Sequence, residues 1–246
     1  MACNFYLDKI LGMNAPDPRF AGLSPKPQYA RDKNFRTVHI KLEIEINLEK
    51  KLVDGKCSTI LRSINGDPVV RFDAVNFQNV SVKDAKGKPL KHTYNKSVIE
   101  VNVGKIDQGK ETMAVISYRI QDPSLGIYFV GPDKAYPKNP VHVWSHSETE
   151  DGRYWFPSQD SPENKSTSEM LVTVPSNFTA ISNGALLKVV ENKKEKAKTF
   201  HWKMSKPHST YLISFAAGEF GEVKDVWKGV PVLYYCAKGR EDEIKR

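Results

Sequence analysis

From Val38 to Leu48 every second residue is apolar: Val38, Ile40, Leu42, Ile44, Ile46 and Leu48. His39, Lys41, Glu43, Glu45 and Asn47 fill the gaps. An alternation this long cannot lie along one face of a helix. It demands a strand with one face buried and the other wet. His39 falls on the wet face, where it reads as a surface histidine and not as a ligand.

The pattern recurs downstream in shorter form. Leu52 begins a second strand in which Cys57, Thr59 and Leu61 alternate. Val69–Phe77, Val80–Val82, Val98–Val103 and Thr112–Ile120 follow, divided by turn clusters such as Asn65-Gly66-Asp67-Pro68 and Asp84-Ala85-Lys86-Gly87. Lys165–Pro175 places Met170, Val172 and Val174 on one face. Ala180–Gly184 reads as a turn. Ala185–Val190 and Lys198–Met204 read as a hairpin closed by the solvated run Lys193-Lys194-Glu195-Lys196-Ala197-Lys198. Tyr211–Ala217 reads as one buried strand, and Phe220–Val226 and Val230–Ala237 as two more. Phe5–Leu11 suggests a short helix, and Gly239–Arg246 the opening of another. Helical periodicity is otherwise almost absent, so the expected class is all-β, a saddle-like antiparallel sandwich. The expected division is an extended lead-in over 1–35, the β domain over 36–227, and the start of a following domain over 228–246.

Chemistry-bearing residues concentrate between Trp144 and Lys165. Ser145 and His146 lead into Glu148, Glu150 and Asp151, then Gly152, Arg153, the triplet Tyr154-Trp155-Phe156, and Pro157 and Pro162. Most catalytic signatures are missing. There is no H-E-x-x-H zinc helix and no G-x-S-x-G elbow. His142 and His146 stand four apart, but in a strand-then-loop region where that spacing shares no helical face. Glu148 and Glu150 as a glycosidase pair rest on two loop acids alone. The three cysteines form no metal or disulfide pattern, which suits a reducing compartment. The net charge of +8 comes from dispersed lysines, without the clustered arginines and aromatics of a nucleic-acid surface. No apolar run approaches the roughly 20 residues that span a bilayer. The expectation is a soluble cytoplasmic protein with neither nucleic-acid nor membrane partner. Residue types alone reach no further than a β-rich domain with a charged aromatic loop.

A series of segments resembles the zinc aminopeptidase family of aminopeptidase N and leukotriene hydrolase, in the family's own order. They are Val38–Ile44 followed by Asp54-Gly55, Gly126-Ile127-Tyr128-Phe129, Glu148–Pro162, Leu171–Pro175, Ala180-Ile181-Ser182-Asn183-Gly184, His201-Trp202, and Pro207–Ile213 running into Gly218-Glu219-Phe220. The resemblance covers that family's N-terminal, saddle-like β domain. It implies that the residue five before the arginine binds the free α-amino group of a peptide, which here is Glu148. Seven before is usually glutamine; here it is His146. Ser158 stands where the family's Phe-Pro-Cys-x-Asp-x-Pro piece carries cysteine. The resemblance places the zinc, the H-E-x-x-H helix and the Gly-x-Met-Glu-Asn loop in a separate catalytic domain. It implies no cofactor in this chain, peptide N-termini and that catalytic domain as partners, and an enzyme only in the whole protein. The rival it carries is a catalytically dead scaffold, as in a transcription-initiation factor subunit. A free-standing adaptor domain is a third possibility.

Overall fold

The computed structural model describes residues 33–244, so the expected helix at Phe5–Leu11 and most of the lead-in lie outside the described residues. The alternating stretch forms strand β1 (Phe35–Asn47), with Ile40, Leu42, Ile44 and Ile46 buried. One detail departs from strict alternation. The register against the next strand shifts between Thr37 and His39, and Phe35 and Thr37 are buried ahead of it. Val38 is the extra residue of this bulge, which lets odd-numbered and even-numbered positions reach the same core in turn.

β2 (Leu52–Ser63) pairs antiparallel with β1, and β7 (Glu111–Gln121) with β2. β4 (Gln78–Lys83) closes that edge of the sheet. On the other side of β1 lies β10 (Lys165–Pro175), and this pair is parallel, an exception within an otherwise antiparallel sheet. β13 (Ala197–Ser209) and the edge strand β12 (Ala185–Asn192) complete seven strands in the order β12-β13-β10-β1-β2-β7-β4.

Two smaller sheets share the core of this large one. β3 (Val69–Asp73), β5 (His92–Tyr94) and β6 (Val98–Asn102) form one, contributing Val70, Phe72, Ile99 and Val101. β8 (Ile127–Val130), β9 (His142–Ser145), β11 (Thr179–Ser182) and β14 (Phe215–Gly218) form the other, in the order β11-β14-β9-β8, contributing Ile127, Val143, Ala180, Phe215 and Ala217. The all-β sandwich expected from the alternation is therefore present. A separate hairpin follows, β15 (Phe220–Trp227) with β16 (Val230–Ala237), and then a single helical turn, α1 (Glu241–Ile244).

Two local expectations are corrected. Ala180–Gly184, expected to turn the chain, overlaps the strand Thr179–Ser182, which forms because β14 offers it a full ladder; the turn itself is confined to Asn183 and Gly184. Tyr211–Ala217 is not one strand. Thr210–Leu212 is a 3-10 turn that leaves Leu212 exposed, and the strand begins only at Phe215. Apolar content suited either structure there, and the partner strand decided.

The β2–β7 ladder contains one sharp packing constraint. Gly55 faces Tyr118, whose buried ring stacks on Phe77 at 4.7 Å between centroids. A Cβ on Gly55 would overlap the Tyr118 ring. Glycine beneath a cross-strand aromatic covers its own backbone with that ring. Gly55→Ala is expected to cost about 1–3 kcal/mol, as other overpacked cores do. A urea midpoint equal to that of the parent chain would show instead that Tyr118 moves aside freely.

Candidate functional site

The wet face of the large sheet forms a groove of about 520 Å³, lined by Glu43, Glu45, Asp54, Lys56, Arg119 and Thr173 among others. Most acids on this face are already neutralised. Glu43 meets Lys56 at 2.7 Å, and Asp54 takes two hydrogen bonds from Arg119 at 2.7 and 2.9 Å. Further along, Glu169 meets Lys203 at 2.8 Å and lies 3.1 Å from His201 Nε2. The Lys203 hydrogen bond holds the Glu169 carboxyl below its usual range. His39 sits here as expected, Nδ1 2.7 Å from Thr167 Oγ1, and burial lowers its pKa. These pairs satisfy one another and leave little charge for a ligand.

The loop after β9 is different. Buried and exposed residues alternate through it: Val143, Ser145 and Ser147 point inward, while Trp144, His146 and Glu148 are exposed. The backbone N–H of His146 donates to Gly126 O at 2.9 Å. Gly126 has φ +82°, and a Cβ there would press on Asp151 O and the Trp155 ring. Only glycine allows so close an approach. Outside, Tyr128 stacks on Trp144 at 4.5 Å, and Trp144 meets the His146 ring at 6.5 Å. This leaves an exposed aromatic stripe that leads toward Glu148.

Behind the stripe the loop is anchored by buried groups. Trp155 has no exposed surface. It packs edge-on to Phe156 at 4.5 Å, and its Nε1 donates to Ser147 Oγ at 2.8 Å. Asp160, whose side chain is fully buried, receives Arg153 N at 3.0 Å and Arg153 Nε at 3.2 Å, and Thr210 Oγ1 at 3.2 Å. Its own N–H donates to Asp73 Oδ2 at 3.1 Å, and Asp73 and Ser158 exchange two backbone hydrogen bonds. Burial pushes the Asp160 carboxyl up, against the opposing pull of Arg153. Arg153 Nη2 also donates to Glu150 at 2.6 Å. Glu150 is thereby tied down, which removes it from the imagined glycosidase pair.

Glu148 and His146, the two residues singled out in the sequence, lie on this anchored loop. Both are exposed, and no hydrogen bond joins them. Among the described residues the Glu148 carboxylate has neither a hydrogen-bond nor an ion-pair partner; its peptide bond to Thr149 is cis. His142, half-buried, turns Nδ1 to Pro140 O at 3.0 Å. No group of three or more His, Cys, Asp or Glu that could hold a metal occurs among the described residues. The zinc implied by the resemblance thus finds no ligand set there. Cys57 is fully buried, with Sγ 3.5 Å from Pro157 O, and burial pushes its thiol up to about 12. It is a packing residue, not a nucleophile.

A family model for the peptidase M1 N-terminal domain matches residues 36–212. The chain belongs to that family. The solved structure of an M1 zinc metallopeptidase mutant from Deinococcus radiodurans, bound to a Tyr-Ser-Ala substrate, shares the fold at TM-score 0.69 and 19% identity. That match covers 84% of this chain and 48% of the other. Transcription initiation factor TFIID subunit 2 from Drosophila melanogaster is 28% identical over 74% of this chain, and the match spans 16% of that protein. Aminopeptidase B from Rattus norvegicus is 26% identical over 74% of this chain and 26% of its own length. The chain thus spans well under half of these two curated relatives. Within the M1 family its all-β architecture is that of the N-terminal domain, and no described helix is long and apolar enough to cross a membrane.

The sequence had no way to reveal Ser147, Asp73 or Thr210 as supports of the loop, because each acts through a contact that only folding creates. The aromatic stripe left a faint signal, since Trp144 and His146 stand two apart at the end of a strand.

Proposed function

We propose that this chain is the non-catalytic N-terminal domain of a zinc metalloaminopeptidase, forming one wall of the substrate cleft, with Glu148 receiving the free α-ammonium of a peptide. The observation that carries this reading is the unpartnered, exposed carboxylate of Glu148 on a loop held rigid from behind. An ammonium placed there makes a charge-assisted hydrogen bond worth about 1.5–3 kcal/mol. The buried anchors have already met the ordering cost of the loop, so little of that energy is lost on binding. An acylated N-terminus brings no charge and leaves the carboxylate unpaired, which restricts the site to chain ends. Tyr128 and Trp144, stacked on each other, supply an aromatic flank for the terminal residue, with the tilted His146 ring as a neighbour of the amine and not its partner. What this chain's residues do is bind and orient; hydrolysis belongs to the separate domain.

The β15–β16 hairpin supports a following domain as partner. Neither strand contributes to the core, while Val226, Trp227, Val230, Leu233 and Tyr234 are all exposed. We place the passage to the next domain, begun at residue 228, in this hairpin.

In the whole protein that carries this chain, Glu148→Ala is expected to lower kcat/KM for aminoacyl anilides on the order of tenfold to a hundredfold, the equivalent of about 1.5–3 kcal/mol. Glu148→Gln should recover part of the loss. Unchanged kinetics in both variants would remove Glu148 from the site. The similarity to TFIID subunit 2 favours a second reading, a catalytically dead scaffold. The adjoining coding sequence separates the two: intact Gly-x-Met-Glu-Asn and H-E-x-x-H motifs belong to the enzyme, degenerate ones to the scaffold.

A further inference from the structure

The edge strand β12 is exposed at every residue from Ala185 to Asn192, yet it carries Leu186, Leu187, Val189 and Val190, each 42–52% exposed. Among the described residues it pairs only with β13, so its outer line of backbone N–H and C=O groups has no neighbouring strand there. Directly paired residues share a face of the sheet. Leu186 lies opposite Trp202 and Val189 opposite Phe200, and both of those partners pack on the core. Leu186 and Val189 therefore prolong the apolar face of the sheet beyond its covered part. Lys188 and Val190 lie opposite His201 and Thr199 on the polar face.

The hairpin tip adds charge. A cavity of about 330 Å³ is lined by Ser176, Asn192, Lys193, Lys196 and Lys198, with Glu191. Glu191 is taken by Lys198 at 3.3 Å, and Glu195 accepts from Asn192 at 2.6 Å. Lys188, Lys193, Lys194 and Lys196 have no acidic partner among the described residues. An apolar edge with open backbone groups, ending in unneutralised lysines around a cavity, has the features that recognise an added strand of opposite charge.

We infer that β12 is a docking edge for an extended acidic-amphipathic segment of another protein, which joins the seven-stranded sheet beside β12. Its apolar residues lie against Leu186 and Val189, and its carboxylates meet Lys188 and the lysines of the tip. A second copy of this chain fits poorly. Pairing two β12 strands sets Lys188 and the lysine-rich tips of both copies along one seam and joins two chains of net charge +8. A nucleic acid would answer the lysines but not the apolar side chains or the open ladder.

The test uses the 246-residue chain and a fluorescein-labelled peptide in which valine and glutamate alternate. Fluorescence polarisation is expected to show saturable binding. Binding should weaken about tenfold in the K188E/K193E/K194E/K196E variant, with its circular dichroism unchanged, and about tenfold for a peptide N-methylated at alternate amides. Hydrogen exchange should slow at Ala185–Asn192 on peptide addition. Equal affinity for a valine–lysine peptide, absence of binding, or protection confined to other strands would overturn the proposal. A dimer by light scattering without peptide would assign the edge to a second copy instead. The outcome is independent of Glu148, whose loop is not part of this edge.

Discussion

Trp155→Ala is expected to remove about 3–5 kcal/mol of stability, the range for deleting a large buried aromatic. The ring has no solvent exposure and packs on Phe156 at 4.5 Å and Phe215 at 5.7 Å. Alanine leaves a cavity that the surrounding sheet cannot close, because Phe215 and Ile127 are held in their own ladders. It also deprives Ser147 Oγ of its donor at 2.8 Å, directly beside Glu148. Trp155→Phe keeps most of the packing and loses only the indole N–H, so its cost should fall to about 1–2 kcal/mol. Urea unfolding of the three proteins measures both numbers. Equal loss for the two variants would mean that the hydrogen bond and not the packing carries the effect. A midpoint shift under about 1 kcal/mol for alanine would show that the loop is not anchored here.

Arg153→Ala is expected to cost about 3 kcal/mol, toward the lower end for a broken buried ion pair. The lower end applies because the Arg153 side chain keeps 19% exposure while that of Asp160 has none. Asp160 would retain Thr210 as a donor but lose the one cation that pairs with it among the described residues, beside a second carboxylate at Asp73. The pH dependence distinguishes this from simple loss of packing. Burial already raises the Asp160 carboxyl in the folded protein. The folded state therefore holds that proton more tightly than the unfolded chain does. This contribution to stability is fully present below the ordinary carboxylate value and is lost as pH rises through the raised one. Removing Arg153 raises that value further, so the deficit of the variant should be largest near neutrality and shrink on acidification. Arg153→Lys keeps the charge but not the guanidinium fork and should fall between. A deficit independent of pH would place the role of Arg153 in packing alone.

Both substitutions act on the same loop from behind, and neither residue lies on the exposed stripe. On the proposed reading they bear on function through the position of Glu148. The exposed stripe can change with little effect on the fold, whereas its supports cannot. This separation is why the two kinds of residue left unequal traces in the sequence. Glu148 stands out in the sequence only as the residue five before Arg153 in a resemblance, and local spacing survives folding. In that resemblance Arg153 is only a marker; its pairing with Asp160, seven residues on, needs the fold of the loop, and the proximity of Asp73 brings in a residue from far along the chain. The aromatic triplet was legible as apolar, but not which of its members would be sealed: Trp155 and Phe156 are buried, whereas Tyr154 is half-exposed.

The sequence by itself determined the strands and their faces. A period of two is a local property of the backbone, so Ile40, Leu42, Ile44 and Ile46 had to share one side whatever they met there. It also determined where the chemistry-bearing loop lies. Tertiary structure decided which strands became neighbours, including the parallel pairing of β1 with β10. It made a strand of Thr179–Ser182 and a short helical turn of Thr210–Leu212. Among the described residues it left β12 at an open edge and Glu148 without a partner, while its neighbour Glu150 was neutralised. Strand pairing depends on contacts between residues distant along the chain, and even the short-range pair of Glu150 with Arg153 depends on the loop conformation that the packed sheets impose.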